Sequence, residues 1–147
     1  MGGGIAGVTA ARSLRNLAPR AEVVVLETES QLYYLRPGLI DLLSGAKLPQ
    51  DLVPFDRRWY ESQNISYRPS TPVRALELAR KCVILDEGVR LEFAGLILAT
   101  GAEAFLPGIP GAQLEGVFTL RSLQDALEIW ERAREGRAAL VLSLIHI

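Results

Sequence analysis

The stretch Gly2-Gly3-Gly4-Ile5-Ala6-Gly7 constrains this chain more than any other, because G-x-G-x-x-G opening onto a helix reads as a phosphate-binding turn of an α/β fold. Gly2 is expected to turn the chain tightly, Gly4 to let a pyrophosphate approach the backbone, and Gly7 to let the helix pack closely on its sheet. The free N–H groups of the first helical turn and the positive end of the helix dipole both favour an anion there. Alone, the pattern is of low specificity and also occurs in ordinary glycine-rich loops. Its context has to decide.

That context is consistent. Ile5, Val8, Leu14 and Leu17, with the small Ala6, Gly7, Ala10 and Ala11 between them, predict a helix over residues 5–17 that Pro19 stops. Residues 21–26 form a short valine-rich run, as in a parallel strand covered on both faces. Glu27 closes it about twenty positions after Gly7, where this kind of fold places an acid that accepts hydrogen bonds from a ribose. The plainer alternative for Glu27 is a solvated carboxylate at a strand end.

Further on, residues 31–45 predict a loop and a short helix closed by Gly45, and residues 56–63 a second short helix with Trp59 and Tyr60 as core anchors. Residues 73–93 are strand-like. Val89, Leu91 and Phe93 alternate with polar neighbours after the turn residues Asp86-Glu87-Gly88, which predicts a small antiparallel meander inserted into a parallel sheet. Cys82 lies beside Val83-Ile84-Leu85 and is expected to be a buried packing residue. Leu96-Ile97-Leu98-Ala99 predicts a buried parallel strand ending at Thr100-Gly101, and ligand crevices lie at such carboxyl ends. Residues 105–111 predict a linker or crossover. Ser122, with Asp125 three residues on, predicts a capped helix ending near Gly136, and residues 138–142 begin another apolar strand.

Composition excludes several functions. The chain has 147 residues, 49% of them hydrophobic, enough for the core of one domain. A net charge of −1 carries no electrostatic footprint for nucleic acid or an anionic membrane. The longest apolar run, residues 138–147, falls short of the roughly 20 that span a bilayer. The single cysteine forms no internal disulfide or CxxC pair, which fits a reducing cytoplasm. There is no zinc-like ligand cluster, and His146 is the one histidine, so no catalytic triad is expected.

Three separated stretches together resemble one family. They are residues 2–11 with Glu27, the run Leu96-Ile97-Leu98-Ala99-Thr100-Gly101-Ala102, and residues 116–126. The chain resembles the FAD domain of the pyridine nucleotide-dependent flavoprotein reductases, the glutathione-reductase-like two-dinucleotide-fold proteins. Tyr34-Leu35-Arg36-Pro37-Gly38-Leu39 and the following Leu42-Leu43-Ser44-Gly45 are most similar to the nitrite-, rubredoxin- and ferredoxin-reductase branch. The resemblance implies a Rossmann-like α/β fold with FAD on Gly2, Gly4, Ile5, Ala6 and Gly7, and with Glu27 on the ribose. It also implies that Arg36 and Pro37 lie along the flavin or its phosphates, the backbone of Val73 at the adenine, and Ala99, Thr100 and Gly101 beside the cofactor. The redox cysteines of the disulfide-reducing members are absent between Glu27 and Gly45, so no dithiol mechanism is expected and no catalytic acid or base is nominated.

The implied function is electron transfer from NAD(P)H through FAD to an acceptor protein or redox centre, with no nucleic-acid or membrane partner. Two alternatives stay open: a type II NADH dehydrogenase or quinone reductase, and a non-enzymatic module that binds an adenine dinucleotide. Against the family pattern, one residue precedes Gly2 where a strand of about five is expected. The end of the chain reads Ser143-Leu144-Ile145-His146-Ile147 where a second glycine turn is expected. The organisation expected is therefore a partial FAD-binding domain at 1–112 lacking its first strand, a connection at 113–142 into an absent NAD(P)H domain, and a non-native tail at 143–147 that looks like translated adapter DNA. Such a fragment is expected to be inactive by itself.

Overall fold

The computed structural model describes residues 1–134 and Gly136. The predicted strand at 138–142 and the tail with His146 lie outside these residues. Two compact units divide the chain, one built from Met1–Leu35 and Gln50–Ala102, the other from Arg36–Pro49 and the chain from Glu103 onward.

In the first unit, α1 (Ile5–Leu17) is followed by β1 (Val23–Leu26), α3 (Arg57–Ser62) and β2 (Ile65–Arg68). The predicted bounds of α1 are met at both ends. Its C-terminus is tied down by Arg15, whose guanidinium donates to the carbonyls of Pro19 and Ala21 at 2.8 Å and of Gln63 at 2.9 Å. With a further bond to Asn64 O, one side chain thus satisfies four carbonyls and joins the end of α1 to the α3–β2 junction. Strands β1 and β2 pair in parallel, Val23 opposite Ile65 and Val25 opposite Tyr67. The core beneath them holds Val8, Ala11, Val23, Val25, Tyr33, Tyr60 and Ile65, with Phe55, Trp59 and Tyr67 packed against it. Phe55 stacks on Trp59 at 4.1 Å between ring centroids, and the Arg12 guanidinium lies 5.5 Å from the Phe55 ring. Trp59 and Tyr60 are therefore anchors, as their spacing predicts. The Tyr60 hydroxyl has no hydrogen-bond partner, and burial, with Tyr33 adding to it, pushes its pKa up to about 12.

The predicted meander is present as a separate antiparallel sheet of β3 (Val73–Glu77), β4 (Cys82–Leu85) and β5 (Arg90–Glu92), in that order. Cys82 is buried, and Glu87 takes a positive φ of 55° in the turn. One expectation fails. Residues 96–99 are not a strand, and Ile97 and Leu98 are 52% and 59% exposed rather than buried. Their ladder partner is the two-residue segment Met1-Gly2: the Met1 ammonium donates to Ile97 O at 2.6 Å and Ala99 N to Met1 O at 2.7 Å. Two residues cannot sustain a strand.

In the second unit α2 (Leu39–Leu43) packs against α4 (Leu123–Ala133), burying Leu39, Leu42, Leu123 and Ala126. The predicted cap of α4 is a full capping box: Asp125 N donates to Ser122 Oγ at 3.1 Å, and Ser122 N donates to Asp125 Oδ2 at 3.0 Å. Desolvation works to raise the Asp125 pKa, but hydrogen bonds from Ser122, Arg121 and Thr119 outweigh it and hold the carboxyl below its ordinary value. Among the described residues no helix is long and apolar enough to cross a membrane, and no cluster could hold a metal ion.

Candidate functional site

The glycine turn sits where β1, α1 and the 99–101 segment converge. Gly2 takes a φ of 99°, open to glycine, and its N–H donates to Leu26 O at 2.9 Å, fixing the turn to the end of β1. A Cβ on Gly2 would stand 2.1 Å from Ala99 O, and one on Gly7 would stand 1.8 Å from Gly2 O. Both glycines are therefore required by close backbone packing. Gly4 differs. A Cβ there would meet nothing within 4 Å, its φ of −72° is ordinary, and no side chain caps α1 above it. The first turn of α1 also carries no acidic residue, and Ile5 is 64% exposed. The helix thus begins without a side-chain cap, with open space at Gly4 and the positive end of the dipole behind it.

Glu27 stands at the same place. Its Oε2 accepts from Gly3 N at 2.5 Å, and its Oε1 accepts from Thr28 N at 2.7 Å and Glu29 N at 3.0 Å. Spacing alone does not reveal this role: the carboxylate is a clamp that joins the glycine turn to the end of β1. Tyr67 completes the clamp. Its hydroxyl donates to Gly3 O at 3.2 Å, and burial first, then the charge of Glu27, pushes its pKa well above the ordinary phenol value. Gly3 and Tyr67 are not singled out by the sequence pattern. The alternation of Ile65, Ser66 and Tyr67 could have placed the tyrosine on the core side of a strand, but not its contact with a turn 64 residues away.

Of the residues expected at the site, the structure brings together Gly2, Gly4, Ile5, Ala6, Gly7, Glu27, Ala99 and Thr100. Val73 opens β3, two residues after Thr71, whose N–H donates to Glu27 O at 2.7 Å. Gly101 follows with a φ of 71° and open space around its Cα. Arg36 and Pro37 belong to the second unit. There they form a 3-10 turn ahead of α2, and Arg36 Nη1 donates to Arg121 O at 2.7 Å.

The chain is similar to known proteins. The chain is 31% identical over 142 residues to the biphenyl dioxygenase system ferredoxin–NAD(+) reductase component of Paraburkholderia xenovorans, covering 97% of this chain and 35% of that protein. It is 32% identical over 143 residues to the rubredoxin-NAD(+) reductase of Ectopseudomonas oleovorans, covering 97% and 37%. The chain therefore spans about a third of the length of the curated relatives it matches. Among solved structures, the ferredoxin reductase for the CYP199A2 system from Rhodopseudomonas palustris superposes with a TM-score of 0.83 at 29% identity, over 91% of this chain and 33% of that one. The family described as pyridine nucleotide-disulphide oxidoreductase matches residues 1–141. With the Rossmann-like turn, helix and parallel pair already in place, this match covers almost every residue, and the chain belongs to the pyridine nucleotide-disulphide oxidoreductase family.

Proposed function

We propose that this chain supplies the FAD-binding part of an oxidoreductase that passes electrons from NAD(P)H to a carrier protein of the ferredoxin or rubredoxin kind. The observation that carries this is the uncapped, uncrowded N-terminus of α1 at Gly4, held in position by Glu27. A pyrophosphate fits there. Gly4 offers no Cβ to exclude it, and no carboxylate in the first turn repels it. When bound, FAD supplies the hydride-accepting and electron-releasing chemistry.

The chain's own residues bind and orient. Gly2 and Gly7 set the turn; the backbone N–H groups of Gly4, Ile5 and Ala6 meet the phosphates; Glu27 keeps the turn in place and has acceptor capacity left for a ribose hydroxyl. Val73 meets the adenine through its backbone, and Ala99, Thr100 and Gly101 run beside the cofactor. No side chain is assigned a proton-transfer role. The NAD(+) named in both relatives supports the electron donor, and the ferredoxin and rubredoxin in their names support the acceptor class. The buried single Cys82 is in keeping with a reducing, cytoplasmic setting.

The test is the visible spectrum of purified protein mixed with FAD and desalted. Flavin bands that stay with the protein are expected, and anaerobic titration with NADH and NADPH then identifies the donor that bleaches them. Protein that leaves the column colourless overturns the proposal.

A further inference from the structure

Glycine stands on both sides of the Gly3–Gly4 peptide, so no side chain of its own resists rotation of that plane. Contacts from the sheet hold Gly3 instead. Glu27 Oε2 accepts from Gly3 N at 2.5 Å, and the Tyr67 hydroxyl donates to Gly3 O at 3.2 Å. The tyrosine comes so close that a Cβ on Gly3 would stand 2.1 Å from its Oη and 2.7 Å from its Cζ. Tyr67 therefore occupies the space that a side chain in the middle of the turn would need. Its own place is set by the core: it lies opposite Val25 in the parallel pair, and its ring centroid is 4.7 Å from that of the buried Tyr60. Burial, and then the charge of Glu27, keep the phenol protonated and hence a donor.

The bond at Gly3 O reaches further than Gly3. Among the described residues every peptide is trans, and in a planar trans peptide the C=O and N–H point in opposite directions. With the Gly3 carbonyl turned to Tyr67, the Gly4 N–H points to the other side. Gly4 is the N-cap of α1, so its C=O accepts from Val8 N at 3.0 Å while its N–H lies ahead of the helical ladder. A carbonyl that accepts a hydrogen bond also polarises its peptide and strengthens the N–H as a donor. We infer that Tyr67 is a positioning residue for the cofactor's pyrophosphate: its hydroxyl locks the Gly3–Gly4 peptide so that the Gly4 N–H is aimed at the phosphate before it arrives. This rests on the reading of the glycine turn as an FAD site. Tyr67 acts through one peptide plane and not on the phosphate itself. Without the hydroxyl the two glycines let the plane turn, and a carbonyl oxygen swung outward repels an anion. Holding the plane in advance lowers the ordering cost of binding.

The test compares the full chain with its Tyr67→Phe variant, which keeps the ring and removes the hydroxyl. Quenching of FAD fluorescence should show an affinity about tenfold weaker in the variant. In NMR titrations ADP should weaken by the same factor, whereas adenosine, which carries no phosphate, should bind both proteins alike. A loss shared by adenosine makes the hydroxyl a support of the fold only, and overturns the inference. So does a variant that binds FAD as tightly as a parent that binds it well. Nitrogen-15 relaxation of the free parent chain needs neither the variant nor FAD: the Gly4 amide should be as ordered as rigid backbone, with an order parameter of roughly 0.85, and a value below about 0.6 overturns the inference. A parent with a rigid Gly4 that binds neither FAD nor ADP overturns the phosphate reading of the turn, and this inference with it.

Discussion

Exchanging Gly4 and Gly7 for alanine, one at a time, separates the packing duty of the glycine turn from its ligand duty. A Cβ on Gly7 would lie 1.8 Å from Gly2 O and 3.0 Å from Gly2 C, backbone atoms that no rotamer change can move aside. Helix propensity favours alanine by about 1 kcal/mol. Against it stand about 1–3 kcal/mol of overpacking and about 1 kcal/mol for loosening the Gly2 N to Leu26 O bond. Gly7→Ala should therefore destabilise the first unit by about 1–3 kcal/mol net. At Gly4 the added methyl meets nothing and φ is ordinary, so Gly4→Ala should stay within about 0.5 kcal/mol of the parent. The same methyl covers the helix N-terminus, and FAD affinity should fall about tenfold or more, equivalent to about 1.4 kcal/mol. Urea unfolding followed by tryptophan fluorescence reads the first effect, and quenching of FAD fluorescence reads the second. If Gly4→Ala bound FAD like the parent, the phosphate reading of this turn would be refuted; a Gly7→Ala variant as stable as the parent would refute the packing argument.

Other outcomes follow from the same contacts. Glu27→Ala strips the acceptor from three backbone N–H groups and should cost about 2–3 kcal/mol in urea unfolding. Ser122→Ala opens the capping box and should cost α4 about 1 kcal/mol, read from faster amide exchange at Asp125. The folded pKa of Asp125 is depressed, so its contribution is full above the ordinary carboxylate value and is lost as pH falls through the lower folded value. Exchange in α4 should accelerate in that acidic window, and Asp125→Asn should flatten the dependence. The Met1 amine has the opposite proton affinity problem: its folded pKa lies below 8.0, the unfolded chain binds more protons, and stability should rise with pH up to about 8 and level off above. Nα-acetylation should remove that slope in thermal melts.

Local rules made much of the fold legible. Helix α1 could be bounded because Gly4 and Pro19 break it at both ends, and α4 because Ser122 and Asp125 form a short-range cap. The meander showed itself through a two-residue period between turn residues. Strand β2 escaped notice because Ile65-Ser66-Tyr67-Arg68 is too short for its period to stand out, and its partner β1 lies some forty residues away. Residues 96–99 erred in the other direction. Their apolar run states what they would bury, but burial needs neighbours on both sides, and among the described residues the backbone bonds given for Ile97 and Ala99 are those with Met1.

Glu27 shows why a site read from spacing is half legible. The interval from Gly7 places a carboxylate at the end of β1, and that position is what the structure has. Spacing says nothing of the lone pairs. A carboxylate offers about four acceptor sites, and the bonds from Gly3, Thr28 and Glu29 fill three of them. A ribose hydroxyl would find one left, on the oxygen that already holds Gly3. Glu27→Gln tests the division of labour, because its amide keeps one acceptor oxygen but replaces the other with a donor. If the carboxylate serves chiefly the turn, Glu27→Gln should lose stability and FAD affinity together, and restoring stability with an osmolyte should restore binding. If it serves chiefly the ribose, affinity should fall while the urea midpoint holds. Three short bonds from backbone N–H groups favour the first outcome.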